Sequence, residues 1–460
     1  MRLARLIGPE LEALLRESPE QLGELLEEVH PEDIADIIQD LDTTRASELL
    51  TQLPTDYAAQ VFERLDEARQ GELAGLMGTD STARIATEMR ADDRADFFSI
   101  LPPDFAAPLL ESLEKVDPEA AEEVEQLTRW PEKTAGGLMT TDFVAITPDL
   151  MIGDAIEEVR RLAREAETLE VVYVVAPDKR LLGLLTLRNL LLADPAELVL
   201  DVVQRNVISV PPELDQEEVA RTLAKYDLHT LPVVDQSGAL LGVITADDVL
   251  DVVHEEQSED VQKMAAVAPI GESYFDATAL TFIKKRAPWL MILFVSGFFT
   301  TTAMKAFDAV LASIAQLAFY VPLLIAAGGN SGSQSSTLVI RALAVGQIQT
   351  KDWWRVLVRE IAQGLVLGAM LAVFGVARVL FAGDGAEIAV VIALTIMGIV
   401  LMGCVVGGMM PILLHRFGID PATSSTPFIA TLVDVLGIVI YLGLAQLLLL
   451  GATAALGSPK

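Results

Sequence analysis

Five apolar stretches after Lys285, at about 287–304, 311–327, 357–381, 388–414 and 428–450, constrain this 460-residue chain more than any other feature. Crossing a hydrocarbon core takes ~20 helical residues, and backbone in lipid must satisfy its own hydrogen bonds. An all-α transmembrane region with five helices is therefore expected over 281–460. Charge is sorted along the same boundary. Residues 281–460 hold 11 Lys+Arg and 7 Asp+Glu, whereas 1–280 hold 22 and 59, a net of −37. Such an acidic front cannot release phosphate counterions, which argues against nucleic acid as a partner. A single cysteine, Cys404, excludes a disulfide scaffold.

Basic residues near span ends orient a membrane protein. Lys284, Lys285, Arg286, Arg341, Lys351, Arg355, Arg359 and Arg416 fall on one side; Lys305, Arg378 and Lys460 fall on the other. The first ten residues lack an apolar signal-peptide core. Both readings place the acidic front half in the cytoplasm and the C-terminus outside, in a multi-pass plasma (inner) membrane protein.

Most polar residues of the back half read as loop residues. Asp434 does not. It stands seven residues past Pro427, about 10 Å along a helix rising ~1.5 Å per residue. An acid at that depth costs about 2.5–3.5 kcal/mol on insertion scales, so it faces a pore or a partner. Ala430, Thr431 and Gly437 share its face and leave room beside the carboxylate. It reads as a cation site on a permeation path, against the plainer roles of an Asp paired with Arg or capping a broken helix. The run from Gly328 to Thr337, with Asn330 in it, is dense in small hydroxyl and amide groups. It reads as irregular backbone covered by protein or water, or as a simple Gly/Ser loop.

Residues 1–130 show short amphipathic helical patterns with a repeat: Leu53-Pro54-Thr55-Asp56-Tyr57-Ala58-Ala59 recurs as Leu101-Pro102-Pro103-Asp104-Phe105-Ala106-Ala107. An all-α superhelical N-terminal domain of stacked hairpins fits. A second repeat follows. Tyr173-Val174-Val175-Ala176-Pro177-Asp178 returns 59 residues later as Pro232-Val233-Val234-Asp235-Gln236-Ser237, each copy running on into strand, turn and helix. This pair, 131–200 and 201–253, resembles tandem CBS domains, an α/β regulatory module. In that family a Thr/Ser-x-x-Asp at the helix start holds a nucleotide ribose, which implies Thr186, Arg188 and Asn189 as contacts for ATP. Asn189 departs from the acid expected there. The plainer reading of Thr186 is an N-cap.

Acids continue past the second copy: Asp247, Asp248 and Asp251, then Glu255, Glu256, Glu259 and Asp260, with Asp92, Asp93 and Asp96 upstream. Carboxylates and water suit a hard ion such as Mg²⁺, while a solvated acidic face is the plainer reading.

An acidic helical domain, a CBS pair, a long connecting helix at 254–280 and five spans together resemble the MgtE family of magnesium channels. The most specific pieces are Tyr320-Val321-Pro322 leading into Gly328-Gly329-Asn330-x-Gly332-x-Gln334, and Asp420-Pro421-Ala422 followed by Pro427-x-x-Ala430-Thr431-x-x-Asp434. The resemblance implies a homodimer in the lipid bilayer with a pore between the two membrane halves. It implies Asp434 as the pore acid holding hydrated Mg²⁺, and Asp420 as an acid at the cytoplasmic mouth. Asp92, Asp96, Asp215, Glu217, Asp227, Asp248, Asp251, Glu259 and Asp260 are implied as regulatory Mg²⁺ ligands. Mg²⁺ would then be both substrate and regulator: high cytoplasmic Mg²⁺ bridges the acidic faces and the connecting helix shuts the pore. Moving such a gate from 1:99 to 99:1 takes ~5.5 kcal/mol of differential binding, which several shared sites supply jointly.

Thr426 and Val433 stand where more polar residues are expected in that family, which leaves Co²⁺, Mn²⁺ and Ni²⁺ as alternative cargo. A membrane-anchored adenine-nucleotide sensor that transports nothing is the alternative of a different class. No Walker A motif, nucleophile elbow or HExxH is present, so an enzyme is not expected.

Overall fold

The computed structural model describes residues 29–450 apart from Glu165, Glu272, Ser273, Phe275, Asp276, Ser424 and Ser425. The chain divides into two compact units, Met1–Val253 and His254–Lys460.

Among the described residues, the first unit opens with eight short helices: α1 (Pro31–Asp40), α2 (Thr43–Gln52), α3 (Thr55–Glu63), α4 (Glu67–Met77), α5 (Thr79–Thr87), α6 (Ala91–Ile100), α7 (Pro103–Val116) and α8 (Pro118–Leu127). Both copies of the Leu-Pro repeat are helix starts, with Pro54 and Pro102 at the N-caps of α3 and α7. Proline there forbids continuation of the preceding helix and sets φ for the next. Hairpin after hairpin stacks on one core, with Ile34, Leu49, Phe62, Leu73 and Leu109 fully buried.

The CBS-like region follows as β1 (Ala145–Ile146), α9 (Ile152–Leu162), β2 (Val171–Val175), β3 (Leu181–Thr186), α10 (Leu187–Leu192), α11 (Val199–Val202), α12 (Gln216–Tyr226), β4 (Thr230–Val234) and β5 (Leu240–Thr245). β2 pairs antiparallel with β3 in the register Val171↔Thr186, and β4 with β5 as Thr230↔Thr245. Both hairpins carry a register shift at the same place, Val174/Val175 and Val233/Val234. The sequence repeat is thus a structural repeat down to its irregularity. Each copy adds a parallel neighbour, β1 against β2 and a bridge of Val210 to Val233.

α13 (Ala246–Met264) is one unbroken helix that grows directly out of β5. It therefore starts before, and stops short of, the 254–280 span expected of the connecting helix.

The second unit continues with α14 (Ala279–Ala306), α15 (Asp308–Ser313), α16 (Gln316–Ala344), α17 (Trp353–Ala382), α18 (Ala386–Arg416) and α19 (Thr426–Ala445). Among the described residues, four helices are long and apolar enough to cross a membrane: Ala279–Ala306, Thr350–Ala382, Ala386–Arg416 and Thr426–Leu449. The expected stretch at 311–327 is divided between α15 and the first half of α16. Residues 328–337 are neither a loop nor irregular. They form the middle of α16, which runs through them without a break. The reason is packing: an added Cβ at Gly407 would sit 2.1 Å from the Gly332 carbonyl oxygen, and one at Gly403 2.7 Å from that of Gly328. Glycines let α16 and α18 touch backbone to backbone, so the glycines that weaken an isolated helix are what this contact needs. α14, by contrast, buries none of its residues within the chain.

Candidate metal centres

Three acids from three segments of the first unit converge. Asp92 stands in the first turn of α6, Glu167 in the loop before β2, and Asp248 in the first turn of α13; one oxygen of each lies within 4.8 Å of the others. Local sequence explains the convergence. Nothing in α6 caps its own start, so other segments do so: the Arg90 amide donates to Glu63 Oε1 at 2.7 Å and the Ala91 amide to Asp142 Oδ2 at 3.2 Å. A helix N-terminus carries about half a positive charge and draws carboxylates to it. Thr245, at the end of β5, donates its hydroxyl to Asp248 and aims that carboxylate.

Charge balance at the cluster is poor. Arg90 reaches Asp93 at 2.8 Å, Glu167 at 2.9 Å, Asp247 at 3.8 Å and Glu63 at 4.0 Å. One guanidinium serves all four. Burial, reinforced by Asp93 and Asp248, holds Asp92 well above the usual carboxylate range. Burial and the Asp248 charge push Glu167 up to about 7, and burial and Asp93 push Glu63 to about 7. Asp248 rises to about 6, mainly through burial. Asp92 Oδ1 and Glu167 Oε2 are buried with no hydrogen-bond partner. Two orphaned carboxylate oxygens facing a third acid fit a divalent cation. In Mg²⁺ geometry, with bonds of ~2.1 Å, ligand oxygens stand ~3.0 Å apart when adjacent and ~4.2 Å when opposite. The three oxygens here, within 4.8 Å of one another, lie near that range.

Asp96 stands one turn along α6 from Asp92, on the same face; desolvation, then the charges of Asp93, Glu132 and Asp248, pushes its carboxyl up to about 7. The other proposed ligands of this unit do visible structural work. Asp215 caps α12 by accepting from the Glu217 amide at 2.9 Å, Glu217 pairs with Arg221 at 2.5 Å, and Asp227 ends α12 at φ 51°. Asp251 is exposed on α13. Thr186 caps α10, accepting from the Asn189 amide at 3.1 Å, and Arg188 is exposed beside it.

In the second unit Asp434 lies on α19, half-buried, with its Oδ1 3.6 Å from where a Cβ on Gly329 would be. Gly329 and Ala430 therefore leave space at the carboxylate. Asn330 is exposed on the next position of α16. Thr431 donates to the Pro427 carbonyl at 2.9 Å, inside its own helix. Gly437 serves a contact instead: its Cβ would lie 3.3 Å from Ile399 of α18. Asp420 precedes a short 3₁₀ turn, and its Oδ1 accepts from the Ala422 amide at 2.8 Å. Lys263 joins Asp420 at 2.6 Å and pairs with Glu259. Asp260 is pushed up to about 6 by burial and then by the Asp420 charge.

Sequence reading missed two acids. Glu167 sits in a stretch that looks like the frayed, solvated end of α9, and only the tertiary fold buries it. Glu360 had a signal. It is the eighth residue of α17, buried, and accepts from Ser335 of α16 at 2.6 Å, with Gly408 leaving room for its side chain. Taking the span to begin at 357 made it look like an end residue, whereas the helix begins at Trp353.

Residues 321–444 match the MgtE divalent cation transporter family, 29–133 the MgtE intracellular N domain, and 135–195 and 199–255 the CBS domain. The magnesium transporter MgtE of Thermus thermophilus is 40% identical over 438 residues, 95% of this chain and 97% of that protein. The chain belongs to the MgtE family of magnesium transporters. The Bacillus subtilis MgtE is 31% identical over 92% of each chain. Among solved structures, the cytosolic domain of the Mg²⁺ channel MgtE in complex with ATP is 38% identical, with a TM-score of 0.50 over 52% of this chain and 97% of that one. The soluble part of a magnesium transporter is 32% identical, also at 0.50, over 54% and 98%. An MgtE-type helical domain, a CBS pair and an apolar helical region are thus all present in order.

Proposed function

We propose that this protein carries Mg²⁺ across a membrane and that Mg²⁺ bound to its acidic first unit turns transport down. The observation that carries the transport half is Asp434, an acid inside an apolar helix whose neighbours Gly329 and Ala430 keep space open beside it. A hydrated Mg²⁺ gives up its water reluctantly, and one or two carboxylates reaching through the water shell suit it better than a full protein cage. Ala430, Thr431 and Asn330 supply the wall there. Of the residues that bind softer metals through sulfur or imidazole, Cys404 is buried in α18 and His415 is near that helix's end. That favours Mg²⁺ over Co²⁺, Mn²⁺ or Ni²⁺. The apolar residues of α14, none of them buried within the chain, call for lipid or a second copy, in keeping with a homodimer spanning an inner membrane with both acidic regions in the cytoplasm.

The regulatory half rests on the Asp92–Glu167–Asp248 cluster. Without a cation its carboxylates repel one another; with one, α6, the CBS region and the start of α13 are held together. Asp96, Asp215, Glu217, Asp227 and Asp251 in the first unit, and Glu259, Asp260 and Asp420 in the second, add weaker shared ligands. ATP is assigned to Thr186, Arg188 and Asn189 of the CBS pair on the repeat pattern there; a similar cytosolic domain was solved in complex with ATP.

The test is Mg²⁺ flux into vesicles carrying the purified protein, measured against Mg²⁺ on the side of the soluble unit. Flux that is large at micromolar Mg²⁺ and falls at millimolar Mg²⁺ is expected. Flux absent at every concentration, from protein shown to be folded, would instead favour a nucleotide sensor.

A further inference from the structure

The acids at the end of α13 and before α19 already have a cation, supplied by the chain. Lys263 lies in the last turn of α13, four residues after Glu259. Its ammonium bonds Asp420 Oδ2 at 2.6 Å and pairs with Glu259 at the same time. Asp420 is prepared for this. Its Oδ1 is occupied by the Ala422 amide at 2.8 Å and its carbonyl by the Thr423 hydroxyl at 2.6 Å, which leaves Oδ2 to face the ammonium. The lysine side chain retains 23% of its exposure and Glu259 17%, so the pair is only partly open to solvent. An ammonium is a compact point charge with three donors, and two carboxylates converging on it use the same oxygens a divalent ion would take.

We infer that Lys263 is a tethered competitor for the divalent cation at the Glu259–Asp420 site: it ties the end of α13 to the Asp420 turn when Mg²⁺ is scarce, and Mg²⁺ must displace it to bind there. This rests on the reading that Mg²⁺ regulates through these acids, and it adds the residue that sets how much Mg²⁺ is needed. Two opposite consequences follow from one side chain. Removing its charge loosens the end of α13 in the absence of Mg²⁺. It also takes away the cation that the two carboxylates share, so Mg²⁺ takes the site at lower concentration. A partly exposed ion pair of this kind contributes roughly 1 kcal/mol, which corresponds to about a fivefold shift in midpoint.

Hydrogen exchange of the full-length protein in detergent tests this, following peptides from α13 and from α6 across a Mg²⁺ titration for wild type, Lys263→Gln and Lys263→Arg. In EDTA, Lys263→Gln is expected to exchange faster than wild type at the end of α13. Its α13 protection then reaches midpoint at several-fold lower Mg²⁺, while the α6 midpoint stays put. Lys263→Arg, which keeps the charge, stays close to wild type in both. A Lys263→Gln protein that matches wild type in EDTA, or whose α13 midpoint is unchanged or raised, overturns the inference while a Mg²⁺-responsive wild type keeps the regulatory reading. A wild type whose α13 and α6 exchange ignores Mg²⁺ overturns both.

Discussion

Glu167 shows how one side chain can be costly to the fold and useful to the function. Its carboxyl is raised to about 7 by burial and by Asp248, and one of its oxygens has no hydrogen-bond partner. Near pH 8 without divalent ions it is a buried charge only partly offset by Arg90. Glu167→Gln should therefore raise the melting temperature in EDTA, by on the order of 1–2 kcal/mol of stability. The same change should shrink the further rise produced by millimolar Mg²⁺, because a ligand is gone. Asp92→Asn should behave alike, and thermal melts of the detergent-solubilised protein with and without Mg²⁺ check both. Of the cluster, Asp92 and Asp248 were legible as acids at helical positions, but Glu167 was not. Its burial depends on three segments meeting, and a linear pattern carries no trace of that. Thr186 illustrates the converse: the capping pattern read from sequence is the hydrogen bond observed, and a cap leaves open whether a nucleotide also binds.

At the scale of elements, glycine spacing decides how the apolar helices meet. Gly407 faces the Gly332 carbonyl so closely that any side chain must push α16 and α18 apart. Gly407→Ala is expected to cost about 1–3 kcal/mol or more and to lower the yield of monodisperse protein. Gly443 of α19 has nothing within 4 Å of its would-be Cβ, so Gly443→Ala should leave both melt and yield unchanged. A size-exclusion profile and a melt of the two variants distinguish packing from a general intolerance of change. The periods of the two soluble repeats made the helical hairpins and the paired β-hairpins readable in advance. The 328–337 segment misled because glycine and serine signal a loop in water, whereas in a close helix pair they permit contact. The end of α13 at Met264 did have a sequence signal, since Pro269 and Gly271 follow within a few residues and bar a helix running on to 280.

Over the whole molecule the partition of charge is the main physical fact, with net −37 gathered before residue 281. The sign of its pH dependence follows. Glu63 and Glu167 titrate at about 7 and Asp248 at about 6 in the folded chain, above the ~4 expected when unfolded. Between about pH 4 and 7 the folded state binds more protons than the unfolded state, so stability falls as pH rises through that window and levels off above it. In EDTA the protein should melt at a higher temperature at pH 6 than at pH 8. Saturating Mg²⁺, which neutralises Glu167 and Asp248, should reduce the slope; a slope of the opposite sign would remove these carboxyls as the dominant titrating groups.

Whether Mg²⁺ passes beside Asp434 is tested by flux through Asp434→Asn. Vesicles are prepared with micromolar Mg²⁺ on the side of the soluble unit, and influx is compared with wild type after equal melting curves have shown both proteins folded. Flux reduced at least tenfold, to near the level of empty vesicles, is expected. Flux retained at the wild-type level would contradict it and remove Asp434 from the path.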